Sequence, residues 1–515
     1  WVLSVVAGQQ TPTDSLRNVS LLSSISKDLK AFRPAIVSIF LGRSIQPNSQ
    51  MTARVSVSDA YDGGNIEFVG QSNETKDGSP VTVITVKVKP DIYTDLEKIA
   101  HMQYFAFRVT LNSNNDDEDS SPTPVMYVIE NAHEVSYPEA WQGTTVCVNT
   151  QDVNDGEAWY RNQTTQYVDG KLSWTHNHSS TNETVYFSYF PPFSYERHLS
   201  LLSKCYTSPH HPKIQTLGQS LDGREIECIQ VGSGSMICWV IHRQHPGETM
   251  AEHYAEGFLT RLLGLDNLTE GDSAVQDILA KYTFYIVPNM CPDGAVRGHL
   301  RTNACGANLN REWATKGDYE APTLERSPEV YWVLKKMDET GVDMFLDVHG
   351  DEELPYNFIS GAELCPTWCK RLESLHGAFV ASYQRANSDM QQNIGYPPPD
   401  KAEDVLDYLN IATTQVCTRF NCLAVTLEMP FKDCNTNPDP ERGWSPARSR
   451  KLGASVLEPL LYVYPHLRTD EQFWENLPKE DDYVKPTDKY EEEGFVPLKK
   501  EKRFYSDVRA FQPNV

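Results

Sequence analysis

The stretch MICWVIHRQHPGE, residues 236–248, decides the fold of this chain. Its first half is a short apolar run that indicates a buried strand, and its second half is a tight turn that carries His245 and Glu248. The residues that follow, 248–263, are predicted to form an amphipathic helix. Strands that alternate with helices and carry polar side chains at their carboxyl ends are typical of α/β sheets, whose functional sites lie at that edge.

A second strand end supplies another histidine, His349, directly after the apolar run VDMFLDV of residues 342–348. Zinc accepts such nitrogen and oxygen donors, and catalytic zinc sites use three protein ligands so that a fourth position stays open for water. We therefore predict a zinc site formed by His245, Glu248 and His349. The His-x-x-Glu pattern by itself is weak, because a loop histidine beside a solvated glutamate is the common alternative.

Four other histidines compete for the metal. His242 lies three residues before His245 and faces a different side of the strand end, while His299 lies in a loop segment further along the chain. His176 and His178 are expected in a polar loop. Each is expected to be a surface histidine or one that is satisfied by hydrogen bonds, because none brings a second ligand at a suitable spacing.

Two further motifs accompany the predicted ligands. Residues 289–313, NMCPDGAVRGHLRTNACGANLNREW, combine arginines and asparagines, and Glu428 lies inside the otherwise apolar stretch AVTLEMPF of residues 424–431. In this order the motifs resemble the zinc metallocarboxypeptidases, specifically the cytosolic carboxypeptidase branch. The resemblance covers about residues 120–465, and the stretch DVHGDEELPYNF at residues 347–358 is closer to the bacterial-type members than to the animal enzymes.

The resemblance implies roles for four polar residues. Glu428 matches the family's catalytic glutamate, the general base; a carboxylate in an apolar strand costs several kcal/mol unless it is paired or functional, and a buried salt bridge is the alternative. Arg301 would stabilise the oxyanion of the tetrahedral intermediate. Asn310 and Arg311 would bind the C-terminal carboxylate of the substrate, because a guanidinium offers a planar bidentate fork. Such a clamp makes the enzyme an exopeptidase.

The sequence departs from the family pattern in one place and leaves another open. Many relatives carry an aspartate two residues before the Asn-Arg pair, where this chain has Asn308. Its amide oxygen can still accept the imidazole N–H of His245, without the negative charge that raises ligand basicity. The tyrosine that covers the substrate in the pancreatic-type enzymes has two candidates here, Tyr396 and Tyr408.

The resemblance also implies glutamate as the favoured leaving residue and acidic protein tails, such as polyglutamylated tubulin, as substrates. A basic residue in the side-chain pocket would select glutamate, and Arg297, Lys401 and Arg419 are the candidates. A zinc carboxypeptidase with another C-terminal specificity, an amidohydrolase on the same fold and a catalytically silent binding module are the alternatives. A silent module has no need for a buried Glu428.

The chain is predicted to fold into two domains. Short β-branched and aromatic runs, such as residues 81–88, 104–111 and 184–189, predict an antiparallel β-sandwich. After about residue 200, strands alternate with helices, which predicts an α/β domain with a mixed sheet. We expect a loose N-terminal segment at 1–33, the β-sandwich domain at 34–195, the zinc carboxypeptidase domain at 196–468 and an acidic tail at 469–515.

Composition excludes some partners. The 515-residue chain has a net charge of −24, which argues against nucleic-acid binding. We expect no membrane partner, because no run approaches the roughly 20 apolar residues of a membrane span. Eleven cysteines without a framework spacing fit reduced thiols and a cytoplasmic protein. Secretion is the alternative, because the chain has six Asn-x-Ser/Thr sequons, at Asn18, Asn73, Asn162, Asn177, Asn182 and Asn267.

Overall fold

The computed structural model describes residues 54–469, except residues 77, 113–122, 180–182 and 267–270. The predicted loose segment at 1–33 and the predicted tail from residue 470 onward lie outside the described residues. The boundary between the two domains near residue 195 stays a prediction. The described residues first form a pair of β-sheets and then an α/β arrangement around a larger sheet.

Ten strands make up the first part: β1 (Arg54–Ser58), β2 (Glu67–Lys76), β3 (Ser79–Lys87), β4 (Ala106–Asn112), β5 (Thr123–Ile129), β6 (Cys147–Asn149), β7 (Tyr160–Arg161), β8 (Gln166–Val168), β9 (Lys171–His178) and β10 (Thr184–Ser188). They form two five-stranded sheets, in the orders β1-β4-β10-β6-β7 and β2-β3-β5-β9-β8. Neighbouring strands pair antiparallel except β3 and β5, which are parallel. A parallel pair needs a crossover, and here the chain passes through β4 of the other sheet between the two strands.

Aromatic side chains from both sheets fill the space between them. The ring centroids of Tyr127 on β5 and Phe187 on β10 lie 4.5 Å apart, and those of Phe107 on β4 and Trp174 on β9 lie 6.2 Å apart. All four side chains are fully buried. The predicted β-sandwich is therefore confirmed, with one parallel pair of strands as the difference.

The prediction for His176 and His178 was wrong. Both lie on β9, where buried and more accessible residues alternate, and both are buried. Residues two apart on a strand point to the same face. The polar letters around them are the outward-facing residues of the strand, which gave the segment the composition of a loop.

A seven-stranded mixed sheet forms the second part: β11 (Lys213–Gln219), β12 (Glu225–Val231), β13 (Met236–His242), β14 (Tyr282–Val287), β15 (Met344–Val348), β16 (Phe358–Gly361) and β17 (Leu423–Glu428). Its order is β11-β12-β14-β13-β15-β17-β16. The four central strands, β14, β13, β15 and β17, are parallel, and the outer ones pair antiparallel. This confirms the predicted mixed sheet.

Ten α-helices accompany the strands within the described residues: α1 (Tyr195–Cys205), α2 (Met250–Leu262), α3 (Ser273–Lys281), α4 (Pro292–Arg297), α5 (Pro328–Thr340), α6 (Lys370–Ala386), α7 (Ala402–Val405), α8 (Ala412–Phe420), α9 (Pro446–Ala454) and α10 (Leu457–Val463). The predicted helix at 248–263 is α2, which begins two residues later. None of the helices in the described ranges is long and apolar enough to cross a membrane.

Two buried cations join the sandwich to the larger sheet. Arg161 on β7 donates to the carbonyl oxygens of Phe431 and Trp444, at 2.8 and 2.9 Å. Conversely, Nζ of Lys432 donates to the carbonyl oxygens of Ala140 and Gln142, at 3.0 and 2.9 Å. Both contacts fix the segment that leaves β17, so the sandwich helps to position the chain just beyond Glu428.

Candidate metal centre and active site

The three predicted metal ligands converge. His245 and Glu248 lie in the turn between β13 and α2, and His349 directly follows β15. Nδ1 of His245 lies 2.6 Å from Oε1 of Glu248, and Nδ1 of His349 lies 2.9 Å from Oε2 of the same carboxylate. The two Nδ1 atoms are 3.2 Å apart. Because β13 and β15 are parallel neighbours, their carboxyl ends bring these side chains together.

Close packing of the backbone fixes the turn that holds His245 and Glu248. The amide N–H of Gly247 donates to the carbonyl oxygen of Leu300 at 2.9 Å, and a Cβ at residue 247 would lie only 2.8 Å from that oxygen. On the other side Arg243 donates to the carbonyl oxygen of Pro246 at 2.9 Å. A glycine is therefore required at position 247.

A second oxygen acceptor orients each histidine. Oδ1 of Asn308 lies 3.1 Å from Nε2 of His245, the contact that the sequence predicts. Oδ2 of Asp347 lies 2.9 Å from Nε2 of His349 and also accepts a 2.6 Å hydrogen bond from Gln244. These acceptors hold the N–H on Nε2, so that Nδ1 of each ring presents its lone pair toward Glu248. The donor set therefore fits zinc and leaves one position open.

The protonation states of His245 and Glu248 suit a cation. Burial lowers the pKa of His245 to about 3, so its ring is neutral at pH 7. Burial opposes ionisation of Glu248, but His245 and His349 outweigh it and hold the pKa of this carboxyl well below its usual range. A neutral imidazole and an ionised carboxylate are the forms that bind metals. For His349, burial opposes the charge but Asp347 and Glu248 outweigh it and raise its pKa well above the usual value, so this ring has to release a proton when a metal binds.

Glu428 is the last residue of β17 and lies at the same edge of the sheet. The side chain is buried, and its Oε2 has no hydrogen-bond partner. Burial raises the pKa of Glu428, and the neighbouring carboxyl of Glu248 adds to this against the attraction of His349. Within the described ranges no arginine or lysine forms an ion pair with Glu428, which removes the salt bridge as an explanation for its burial.

A cleft of about 330 Å³ brings most of the predicted site together. Six of the eight predicted site residues line it: His245, Glu248, Arg301, Asn310, Arg311 and Glu428. His349 lies beside the cleft, where it completes the ligand group with His245 and Glu248. Neither Arg301 nor Arg311 has a carboxylate within ion-pair distance in the part of the chain that the structure describes. Burial and the nearby Arg301 lower the pKa of Arg311. Two unpaired guanidinium groups in one cleft favour an anionic ligand.

Arg297 is the predicted site residue that lies away from both the cleft and the ligand group. It ends α4, and its guanidinium pairs with Asp222 at 2.8 Å and donates to the carbonyl oxygen of Ala304 at 3.0 Å. Arg419, a candidate for the side-chain pocket, pairs with Asp338 at 2.6 Å, and Lys401 is exposed. None of the three candidate cations reaches the cleft.

The structure distinguishes the two candidates for the tyrosine that covers the substrate. Tyr396 lines the cleft, and its hydroxyl donates to Oδ2 of Asp351. Tyr408 is 45% exposed and lies beneath the ammonium group of Lys316. The competing histidines His242 and His299 each contact a backbone carbonyl oxygen through Nδ1, at 2.9 and 3.0 Å, although the buried Nε2 of His242 has no hydrogen-bond partner among the described residues.

The sandwich contributes two residues to the site that sequence reasoning missed. The hydroxyl of Tyr137 lies 3.5 Å from Nη1 of Arg301. The carboxylate of Asp91 accepts hydrogen bonds from the backbone N–H groups of Leu300, Arg301 and Thr302 at 2.7, 2.8 and 2.9 Å. No local pattern marks either residue. Asp347 was also missed, although it carried the same signal as Glu428, a carboxylate in an apolar strand.

Fold and site together define a zinc-dependent peptidase. Residues 57–190 match the model of the cytosolic carboxypeptidase N-terminal domain, and residues 199–441 match that of the zinc carboxypeptidases. The chain belongs to the zinc carboxypeptidase family, in the branch that carries this N-terminal domain. It is therefore a carboxypeptidase, an enzyme that acts on the C-termini of peptides or proteins, and zinc is its cofactor.

Three relatives show how far the similarity extends. An uncharacterised protein of Zymomonas mobilis is 38% identical over 78% of this chain and 95% of its own length. The metallo-carboxypeptidase of Pseudomonas aeruginosa, solved in complex with (2-guanidinoethylmercapto)succinic acid, is 36% identical with a TM-score of 0.68, over 80% of this chain and 100% of that one. Mouse cytosolic carboxypeptidase 3 is 25% identical over 54% of this chain but only 28% of its own length.

Proposed function

We propose that this carboxypeptidase removes residues from the C-terminus with Glu428 as general base and with Arg301, Asn310 and Arg311 as the groups that bind substrate. One observation carries the proposal: the ligand group, a buried carboxylate and two unpaired arginines share one cleft. An endopeptidase has no use for a buried clamp of this kind, because its substrates continue on both sides of the scissile bond.

The terminal carboxylate is assigned to Asn310 and Arg311. The amide oxygen of Asn310 accepts the backbone N–H of Ala412 at 2.9 Å, which leaves its NH₂ group to donate to substrate. Nη1 of Arg311 donates to the carbonyl oxygen of Asn310 at 2.7 Å, which holds the guanidinium beside that NH₂ group. Together they offer several N–H donors to one carboxylate, and such charge-assisted bonds are the strong ones.

The remaining groups serve the chemical step. Zinc, held by His245, Glu248 and His349, would supply the Lewis acid that activates water and polarises the scissile carbonyl. Glu428 takes a proton from the attacking water and passes it to the leaving amine. Arg301 donates to the oxygen that becomes negatively charged, and Tyr137 lies beside it to keep the guanidinium in place.

Blocking the substrate's carboxylate tests the exopeptidase assignment. We expect wild-type protein to release the last residue of a free peptide and to leave the C-terminal amide of the same peptide intact. Arg311→Met should raise KM for the free peptide, whereas Arg419→Met, a matched change at an exposed arginine paired with Asp338, should not. Equal cleavage of the amide and the free acid by wild-type protein would refute the assignment.

For the leaving residue, glutamate is the first candidate, and acidic tails such as those of polyglutamylated tubulin are the corresponding substrates. The support is the resemblance to the cytosolic carboxypeptidases and the two arginines of the cleft. The cations expected to select glutamate, Arg297, Lys401 and Arg419, lie elsewhere. If glutamate is preferred, Arg301 or Arg311 has to bind its side chain in addition to its assigned group.

A basic leaving residue is the second candidate. The carboxyl groups of Asp351, Glu352 and Glu353 line the same cleft, and the Pseudomonas relative was solved with a compound that carries a guanidinium group. Peptides that differ only in a final glutamate, lysine or phenylalanine distinguish the candidates, with release followed by mass spectrometry. Fastest release of glutamate supports the first candidate, and fastest release of lysine supports the second.

We propose the cytoplasm as the compartment, in line with the names of the cytosolic carboxypeptidases among the relatives. All eleven cysteines are described and unpaired, and nine of them are buried. Of the sequons, Asn162 is buried and its side chain donates to the carbonyl oxygen of Thr175 at 2.9 Å, so a glycan on this residue is incompatible with the fold. Asn18, Asn182 and Asn267 lie outside the described residues.

A further inference from the structure

The β-sandwich carries a second group of metal-type ligands, distinct from the cleft. Donor atoms of His176, His178 and Glu183 all lie within 4.8 Å of one another. The two histidines lie on β9 and point between the sheets, and Glu183 directly precedes β10, a strand of the other sheet. Both histidines are more than nine-tenths buried, with exposures of 8% and 1%.

One of the two donor distances fits a tetrahedral ion, and the other is slightly longer. Oε2 of Glu183 lies 3.3 Å from Nδ1 of His178 and 3.8 Å from Nε2 of His176. Two ligands bound at 2.0–2.2 Å to a tetrahedral zinc lie about 3.3–3.6 Å apart. Neither of these ring nitrogens has a hydrogen-bond partner, although both are buried. A buried polar atom without a partner is costly, and a shared cation removes that cost for both rings at once.

The surroundings keep both rings in the form that binds metals. Burial lowers the pKa of His176 and lowers that of His178 to about 4, so both are neutral at pH 7. Nε2 of His178 lies 2.8 Å from the hydroxyl of Tyr127 and can donate its N–H there. The lone pair of His178 is then on Nδ1, the nitrogen that faces Glu183. A hydrogen bond of this kind on the second nitrogen is usual for metal-bound histidines.

We propose that His176, His178 and Glu183 bind a second, structural zinc ion that joins the two sheets of the sandwich. Two nitrogen donors and one carboxylate oxygen suit zinc, and its fourth position would take water. The ion would hold the end of β9 to the start of β10. Because such an ion binds only the folded sandwich, it stabilises the fold by mass action.

Metal content of the full-length protein tests the proposal without an activity assay. After dialysis against metal-free buffer, we expect elemental analysis by inductively coupled plasma mass spectrometry to find two zinc ions per chain. Glu183→Gln and His178→Gln should each leave one ion and lower the apparent Tm by about 5 °C. His133→Gln changes an exposed histidine of the same domain and should leave both ions. His349→Ala, which alters the cleft, should also leave one, and combining it with Glu183→Gln should leave none.

Other zinc contents would refute the proposed structural site. A single ion in the wild-type protein, lost with His349→Ala and kept with Glu183→Gln, refutes the second site and leaves the first. Retention of the cleft's ion by Glu183→Gln shows that this variant is folded. If His178→Gln does not fold, His349→Ala is first stripped of metal with a chelator and zinc is then added back. A Tm that does not rise when zinc is restored contradicts the proposal.

Discussion

Asp91 holds the backbone of Leu300, Arg301 and Thr302, and its replacement by asparagine tests whether this contact positions Arg301 for catalysis. Oδ2 of Asp91 accepts from the N–H groups of Arg301 and Thr302 and from the Thr302 hydroxyl, at 2.8, 2.9 and 2.9 Å. Oδ1 accepts only the N–H of Leu300, at 2.7 Å. In the asparagine variant, the side-chain NH₂ group should take the place of Oδ1. In that position it faces one N–H donor, whereas in the place of Oδ2 it would face three donors.

The expected cost follows from this count. One hydrogen bond to a charged acceptor is lost and one buried N–H is left without a partner, which together cost about 2–3 kcal/mol. The loop can relieve this by moving, and Arg301 then leaves its position beside Tyr137. Since about 1.4 kcal/mol corresponds to a factor of ten, kcat should fall by about 30- to 140-fold if the whole cost appears in the transition state. Zinc content should not change, because Asp91 contacts none of the ligands.

Peptide hydrolysis, thermal unfolding and zinc content should be measured on the same preparation. Asp95→Asn is the matched control, since Asp95 lies four residues away and is exposed. It should behave as wild type in all three measurements. A lower Tm with kcat within about twofold of wild type would refute the reasoning, because Asp91 would then stabilise the fold without positioning Arg301.

Three further predictions concern other residues. Glu428→Gln should keep the fold and the cleft's zinc but lose about 10²–10⁴ in turnover, measured with a peptide substrate, whereas an inactive protein that is also unfolded would point to a structural role. Chelation should abolish hydrolysis, and His349→Ala should lose the catalytic zinc as measured by metal analysis. For His198, burial opposes the charge but Glu252 and Glu227 raise its pKa to about 9, above its ordinary 6.5. Its stabilising contribution is therefore present below pH 6.5 and lost as the pH rises through 9, and His198→Gln should flatten that part of a urea-unfolding pH profile.

The sequence predicted those parts of the site that depend on one strand and the turn after it. His245, Glu248 and His349 follow apolar runs, and parallel strands bring their carboxyl ends to one edge. Glu428 was marked by its apolar neighbours. Residues whose role depends on distant contacts could not be found in this way, because Asp91 is separated from its partner Leu300 by 209 positions.

The direction in which a long side chain points was the second property that the sequence could not predict. Arg297 lies in the expected segment, but as the last residue of α4 it pairs with Asp222 on the turn between β11 and β12. A guanidinium on a long flexible stem can reach in several directions, and only the position of the nearest carboxylate decides between them. For His176 and His178 the error was one of strand recognition, since alternation along β9 was hidden by its polar outward face.

The reciprocal contacts of Arg161 and Lys432 have a consequence for the order of events during synthesis. Arg161 leaves the ribosome long before Trp444, whose carbonyl oxygen it has to bind in a buried position. The sandwich emerges first, and N-terminal domains generally begin to fold during synthesis. Its surface around Arg161 nevertheless stays solvated until almost the whole larger sheet has been made. The nascent sandwich therefore exposes a surface that is buried in the finished protein. Chaperones could bind this surface during synthesis, and a prematurely terminated chain would keep it exposed.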